Sequence, residues 1–325
     1  MPCDANSPLW LLIEDGPSPH WWLSPSIRVK DSQGTIVPQM TTSGTYSIEA
    51  LVENRGNAAA SDIEVRFYLS PGGTTLPSAT PVASGLVDLG AAGSANDKVW
   101  ASSGNFTVPS SAGHYCIVVE AVDPSDCNPP RNGGPFDPPN RDQVAQRNIE
   151  IVTPPPPPPN PGPGGGAGAG GGRQFFTLPI EMASDGERRR DVTVRAVVDN
   201  KPSARLLQAL GLGDKTKIAA KPGVEIALQD RPALVPFAKG APSPKAGLRM
   251  RIEPRVPSRV FLAVRAVAAE PDGVTIVHVI EEDATGRRKA PLGGRTYVFA
   301  TGNHRDLETT LKLGKPKRPT RTNKR

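Results

Sequence analysis

Residues 153–172 read TPPPPPPNPGPGGGAGAGGG, and no helix or sheet can be drawn through them. Six consecutive prolines remove backbone donors and favour polyproline II at about 3.1 Å per residue, whereas the glycine half behaves as a flexible coil. Strand-like sequence stands on both flanks, so a spacer is the economical reading of the run, ahead of a proline ligand for an SH3-like module. The expected organisation is a Trp-rich N-terminal segment (1–24), a first domain (25–152), the linker (153–172), a second domain (173–311) and a basic tail (312–325). With 325 residues in all, each half is long enough to bury a core of its own.

Both halves read as strands. Residues 52–70, VENRGNAAASDIEVRFYLS, hold a strand end, a polar connection built on Asn54-Arg55-Gly56-Asn57 and a second strand in which Ile63, Val65, Phe67 and Leu69 alternate with polar neighbours. That period of two places the alternate residues on one buried face. Strands are expected at 27–30, 45–53, 63–70, 82–86, 97–101, 113–122 and 143–152, and in the second half at 176–180, 191–198, 224–228, 248–253, 260–268, 275–281 and 295–300. Only 204–212 reads as a helix. Thirty-seven prolines and 33 glycines suit many short strands joined by turns. The fold class is all-β: two immunoglobulin-like β-sandwich domains joined by a Pro/Gly-rich linker.

Three pieces of the first half carry a family resemblance. Trp21-Trp22-Leu23-Ser24-Pro25-Ser26-Ile27 leads into a strand and matches a "W-x-SP-D-I" element with Ser26 where Asp is common; the 52–70 unit follows; and Val144-Ala145-Gln146-Arg147-Asn148-Ile149 opens the last strand. Together, over residues 20 to 152, they resemble the CARDB-like, immunoglobulin-like domains of bacterial proteins. The resemblance implies an adhesion or spacer module within a larger protein, and an architecture rather than an activity. Tyr115, at a strand start, resembles the tyrosine corner of such sandwiches, without the usual spacing to Cys. The second half resembles no family that its residues identify.

The first 24 residues hold three of the four tryptophans, Trp10, Trp21 and Trp22. Exposed indoles are costly, so these rings are expected either to pack on the adjacent sandwich or to anchor another subunit. Of the three cysteines, Cys116 lies in a strand and Cys127 in the loop beyond it. A short return of the chain would let these two form a disulfide; the alternative is a buried thiol at Cys116 and an unrelated loop cysteine. The apolar run 9–13 is too short for a signal core or a membrane span, so the expectation is cytoplasmic synthesis, or export without a Sec signal as part of a particle.

Charge divides with the halves. Residues 1–152 hold 8 Lys+Arg against 16 Asp+Glu, a net of −8, and residues 173–325 hold 30 against 16, a net of +14. Such opposition favours mutual attraction of the halves or an acidic partner for the second. Arg195, Arg249, Arg251, Arg255, Arg259 and Arg265 are candidates to line one basic face. Lys312, Lys315, Lys317, Arg318, Arg321, Lys324 and Arg325, with no acid among them, are candidate polyanion contacts. Few aromatics accompany these cations, which leaves base stacking little to work with.

Catalytic patterns do not emerge. Gly164 to Gly172 lacks a following Gly-Lys-Ser/Thr, Ser102-Ser103-Gly104 lacks a nucleophile-elbow pattern, and His20, His114, His278 and His304 stand in unrelated contexts. There is no Cys-x-x-Cys, and Asp123, Asp126 and Asp137, with Asn128 and Asn132, lack the regular spacing of a calcium loop. No enzyme activity, cofactor or metal is expected. The expected function is a noncatalytic structural or adaptor protein that mediates protein–protein assembly, in a homo- or hetero-oligomer or a larger bacterial or phage-like particle. The alternatives are a polyanion or nucleic-acid binder through the basic C-terminal half, and an accessory module of a hydrolase.

Overall fold

The structure, a computed structural model, describes residues 3–301 except 5, 38, 72–78, 111–112, 129–135, 137, 153–174, 183–188, 213–216, 220–223, 232–244, 255, 257, 267–272 and 287–290. The linker at 153–172 and the tail at 312–325 lie outside the described residues.

The first sandwich is built from ten strands. One sheet contains β1 (Leu11–Leu12), β2 (Ile27–Asp31), β3 (Ile36–Val37), β5 (Thr45–Asn54) and β8 (Lys98–Thr107); the other runs in the order β4 (Gln39–Thr41), β10 (Val144–Val152), β9 (Gly113–Val122), β6 (Ala60–Pro71), β7 (Thr80–Leu89). The chain switches sheets between β3 and β4, and β4 then pairs parallel to β10. Strict alternation fixes the register. Along β5 every second residue is buried, and Ile63, Val65 and Phe67 of β6 are wholly buried against Ile48, Val52, Ile117 and Val119.

The N-terminal segment is not an appendage to this core. Leu9, Leu11 and Ile13 lie inside it, and β1 pairs antiparallel with the end of β5. Gly56 makes the approach possible, because a Cβ there would run into the backbone of Pro8 and Leu9. Asn54, 1% exposed, ties the junction: its Nδ2 donates to the carbonyls of Ala58 (2.8 Å) and Gly90 (2.9 Å), and its Oδ1 accepts from Gly56 N–H at 2.8 Å.

The second sandwich stacks a three-stranded sheet, β11 (Phe175–Met182), β15 (Ser258–Ala266), β13 (Val224–Gln229), on a four-stranded one, β14 (Lys245–Ile252), β12 (Arg190–Asp199), β16 (Gly273–Asp283), β17 (Gly293–Thr301). Ile180, Val194, Ala196, Leu262, Val264, Val277 and Val279 fill the space between them. The helix α1 (Ala204–Ala209) is capped by Ser203, whose Oγ accepts from Leu206 N–H at 3.1 Å.

Two expectations are corrected. Cys127 is bonded to Cys3, 124 residues away, not to Cys116. Cys116 is a buried thiol outside the disulfide, on the far face of β9 among Tyr68, Val118, Phe136 and Val144, and donates to Asn148 Oδ1 at 3.3 Å. The loop after β9 returns along the N-terminal segment, with Cys127 N–H donating to Leu9 C=O, and so meets Cys3. The arginines of the second half do not share a face either: Arg195, Arg249 and Arg251 belong to the β12–β14 sheet and Arg259 to the opposite one. Arg195 pairs with Glu282, Arg251 with Asp191 and Arg259 with Glu181, so their charge is largely offset on the spot. Arg255 and the Arg265 side chain lie outside what is described.

Candidate functional site: the seam between the sandwiches

The site begins with a turn. Gly16 N–H donates to Trp21 C=O, His20 N–H to Pro17 C=O and Leu23 N–H to His20 C=O, closing a knot that presents His20, Trp21 and Trp22 side by side. Gly16 is required there, since the space of a side chain is taken by the His20 and Leu23 backbone. The knot is fastened to β10: Ser24 N–H donates to Gln146 C=O, Asn148 N–H to Trp22 C=O, and an Arg147 guanidinium N–H to Ser24 C=O at 2.9 Å. Burial in this contact pulls the Arg147 pKa down to about 10.

The receiving surface belongs to the second sandwich. Trp21, Trp22 and Leu23 pack with Leu206 and Ala209 of α1 and Ile280 of β16 into one apolar cluster. Each polar tip finds a partner across the seam. Trp22 Nε1–H donates to Thr296 Oγ1 at 3.3 Å, Trp21 Nε1–H to Pro291 C=O at 3.4 Å and Asn148 Nδ2 to Gly294 C=O at 2.7 Å. Arg205 of α1 pairs with Glu14. Gly294 is bare because the Trp22 indole occupies the position of its Cβ.

At the centre lie two imidazoles, His20 from the knot and His278 from β16. Their ring centroids are 3.8 Å apart and their planes 31° from parallel, with Trp22 edge-on to His20 at 5.4 Å. Relative exposures of 9% and 3% place both away from water. His278 reaches Thr296 Oγ1 through Nδ1 (2.9 Å) and Asp199 Oδ2 through Nε2 (3.4 Å). Burial first, and then the neighbouring His278, pull the His20 pKa down from 6.5 to about 4; the hydrogen bond from His278 holds the Asp199 carboxyl below the usual carboxylate range. An Asp–His–hydroxyl series is the skeleton of nucleophilic catalysis. Here the Thr296 hydroxyl also accepts from the Trp22 indole at 3.3 Å.

The sequence-marked tryptophans therefore part ways. Trp21 and Trp22 bridge to the second sandwich, while Trp10 stays on the first, half-buried, donating to Asp142 Oδ2 at 2.9 Å beneath Arg55. The seven basic tail residues lie outside the described residues. Asp126 turns inward to accept from Leu11 N–H at 3.2 Å, and Asp123 accepts from Ser125 N–H; Asn132 and Asp137 lie outside the described residues. Burial pushes the Asp126 pKa up to about 6. Its carboxylate lies within 4.8 Å of the Cys3 and Cys127 sulfurs, which are joined to each other. Sequence reasoning set His20 and His278 in unrelated contexts and passed over Asp199 and Thr296. The available signals were a histidine preceding a Trp pair and a polar residue where Ile276, His278 and Ile280 share one face of β16. An open groove of about 730 Å³ on the outer face of β6 and β7, between Glu64, Arg66, Tyr68 and Pro81, is a second concavity.

No family model matches the chain, and no curated protein matches it. Among solved structures it is similar to the CARDB domain of a Pyrococcus furiosus protein in complex with di-metal ions, at 16% identity over 39% of this chain and 86% of that one, TM-score 0.26. It is also similar to the CupB6 tip adhesin of Pseudomonas aeruginosa, at 11% identity over 92% and 99% of the two chains, TM-score 0.23. A third is the calcium binding domain CBD12 of CALX1.1, at 13% identity over 79% and 82%, TM-score 0.20. The two-sheet β-sandwich of the first half rests on its own strand order.

Proposed function

We propose that this protein is a noncatalytic assembly module that presents two β-sandwiches to a protein partner as one body. The observation that carries this reading is the Trp21–Trp22 seam. A spacer needs only a tether, whereas here two indoles, His20 and the Asn148 side chain of one sandwich fix the other. A fixed pair can offer a composite surface, and its sheet edges and loop clusters are where such modules meet partners. The offset arginines of the second sandwich count against a broad polyanion surface, leaving that alternative to the tail.

Cross-linking of the full chain in its source cells, followed by mass spectrometry, tests the reading. The expected result is a small set of protein partners lost when Trp21 and Trp22 are both replaced by Ser. Recovery of nucleic acid dependent on residues 312–325, or turnover of ester, peptide, glycoside or phosphoester substrates that co-purifies with the chain, would overturn it.

A further inference from the structure

We propose that the seam is an acid-sensitive latch: it holds the sandwiches together while the His20 imidazole is neutral, and releases when His20 is protonated. The geometry contains the reason. Two imidazoles stacked at 3.8 Å, one from each side of the seam, are shielded from water and from bulk counterions. His278 Nε2 faces the Asp199 carboxylate at 3.4 Å, so that carboxylate is already engaged by His278. A proton on His20 places a charge in this shielded contact, against a ring that has already engaged the nearby carboxylate.

The surroundings offer little further compensation. On β12 the charged groups of this face are Asp191, Arg195 and Asp199; Asp191 is paired with Arg251 of β14 and Arg195 with Glu282 of β16. From β17 comes the neutral Thr296, from α1 Arg205, already paired with Glu14 of the knot, and from β10 the half-buried cation Arg147. Above pH 6.5 both closed and open seams hold His20 neutral. Below it the open form gains a proton that the closed form resists down to about pH 4. Opening therefore becomes progressively more favourable through that window, by up to about 300-fold for a shift of two and a half pH units, and no further below it.

The latch goes beyond the assembly role, and one experiment separates the two. Small-angle scattering of the full chain is followed from pH 7.5 to 4. The expected result is a compact particle at pH 7.5 whose radius of gyration rises with a midpoint between pH 6.5 and 4. His20→Phe, which keeps an aromatic ring in the stack and cannot take a proton, is expected to stay compact through the window. Asp199→Asn, which removes the compensating charge, is expected to open at higher pH than the parent. A parent chain compact throughout, or Asp199→Asn and His20→Phe chains that both open at the parent's midpoint, would overturn the latch alone; a parent already extended at pH 7.5 would overturn the seam and the assembly reading with it.

Discussion

Asp15 lies beside Asp142 with its Oδ1 buried and unpartnered, and burial, reinforced by the Asp142 charge, pushes its pKa up to about 8. The native state therefore prefers the protonated acid. Stability from this group is complete below its ordinary value of 3.8 and is lost as pH rises towards 8. Asp15→Asn is expected to stabilise the protein by roughly 1–3 kcal/mol at pH 8, after allowance for screening, and to leave it unchanged near pH 4. Urea midpoints at the two pH values check this, and a gain larger in acid would contradict the assignment. Asn54 gives the opposite case. It is a buried amide with its donors and acceptor engaged, so Asn54→Leu, of similar volume, is expected to cost about 2–4 kcal/mol by stranding Gly56 N–H and two carbonyls.

Within elements, register is the testable quantity. Phe67 and Arg66 are neighbours on β6, one wholly buried and the other paired with Glu64 at 2.7 Å on the outer face. Phe67→Ala is expected to cost about 3–5 kcal/mol and Arg66→Ala under about 1 kcal/mol in thermal or denaturant unfolding. Alternation made such strands legible: the buried positions of β5, β6 and β12 stand where their sequence puts them, with ends displaced by a few residues. Strands of two or three residues, β1, β3 and β4, were not legible, because they are too short to express a period and exist only through their partners β5, β2 and β10. The seam was hidden for a related reason. Its polar members are single residues from the knot, β12, β16 and β17, and nothing local announces that they meet. The Cys3–Cys127 disulfide was not legible, because 124 residues separate its ends and nothing local marks the return of the loop to the N-terminal segment. Alkylation of the unfolded, unreduced chain is expected to label Cys116 alone. Cys3→Ser is expected to cost about 3–5 kcal/mol, as for a bond closing a loop of this length.

At the scale of the whole molecule, the question is whether two cores joined by a seam melt as one. Each sandwich has its own apolar cluster, and the seam cluster is small beside either. We propose that residues 1–152 and 174–311 fold separately, and that each melts cooperatively when expressed alone. Freed of the second sandwich, the first is expected to show red-shifted tryptophan emission, since Trp21 and Trp22 lose their cover while Trp10 and Trp100 keep their surroundings. Gly294→Ala in the full chain is expected to produce the same shift by displacing the Trp22 indole, with the core of the first sandwich intact. An unchanged spectrum in both would place the indoles elsewhere.

The Trp22 contact also sets a timetable for synthesis. Trp22 emerges from the ribosome early, and its partner Thr296 is made 274 residues later. At about 5–20 residues per second, the two indoles wait roughly 14–55 s without their cover, long after the first sandwich has the sequence it needs to fold. During that interval the nascent chain displays a sticky apolar knob on a finished domain. Chaperone engagement is therefore expected to be timed by completion of β17, not by the folding of the domain that carries the knob.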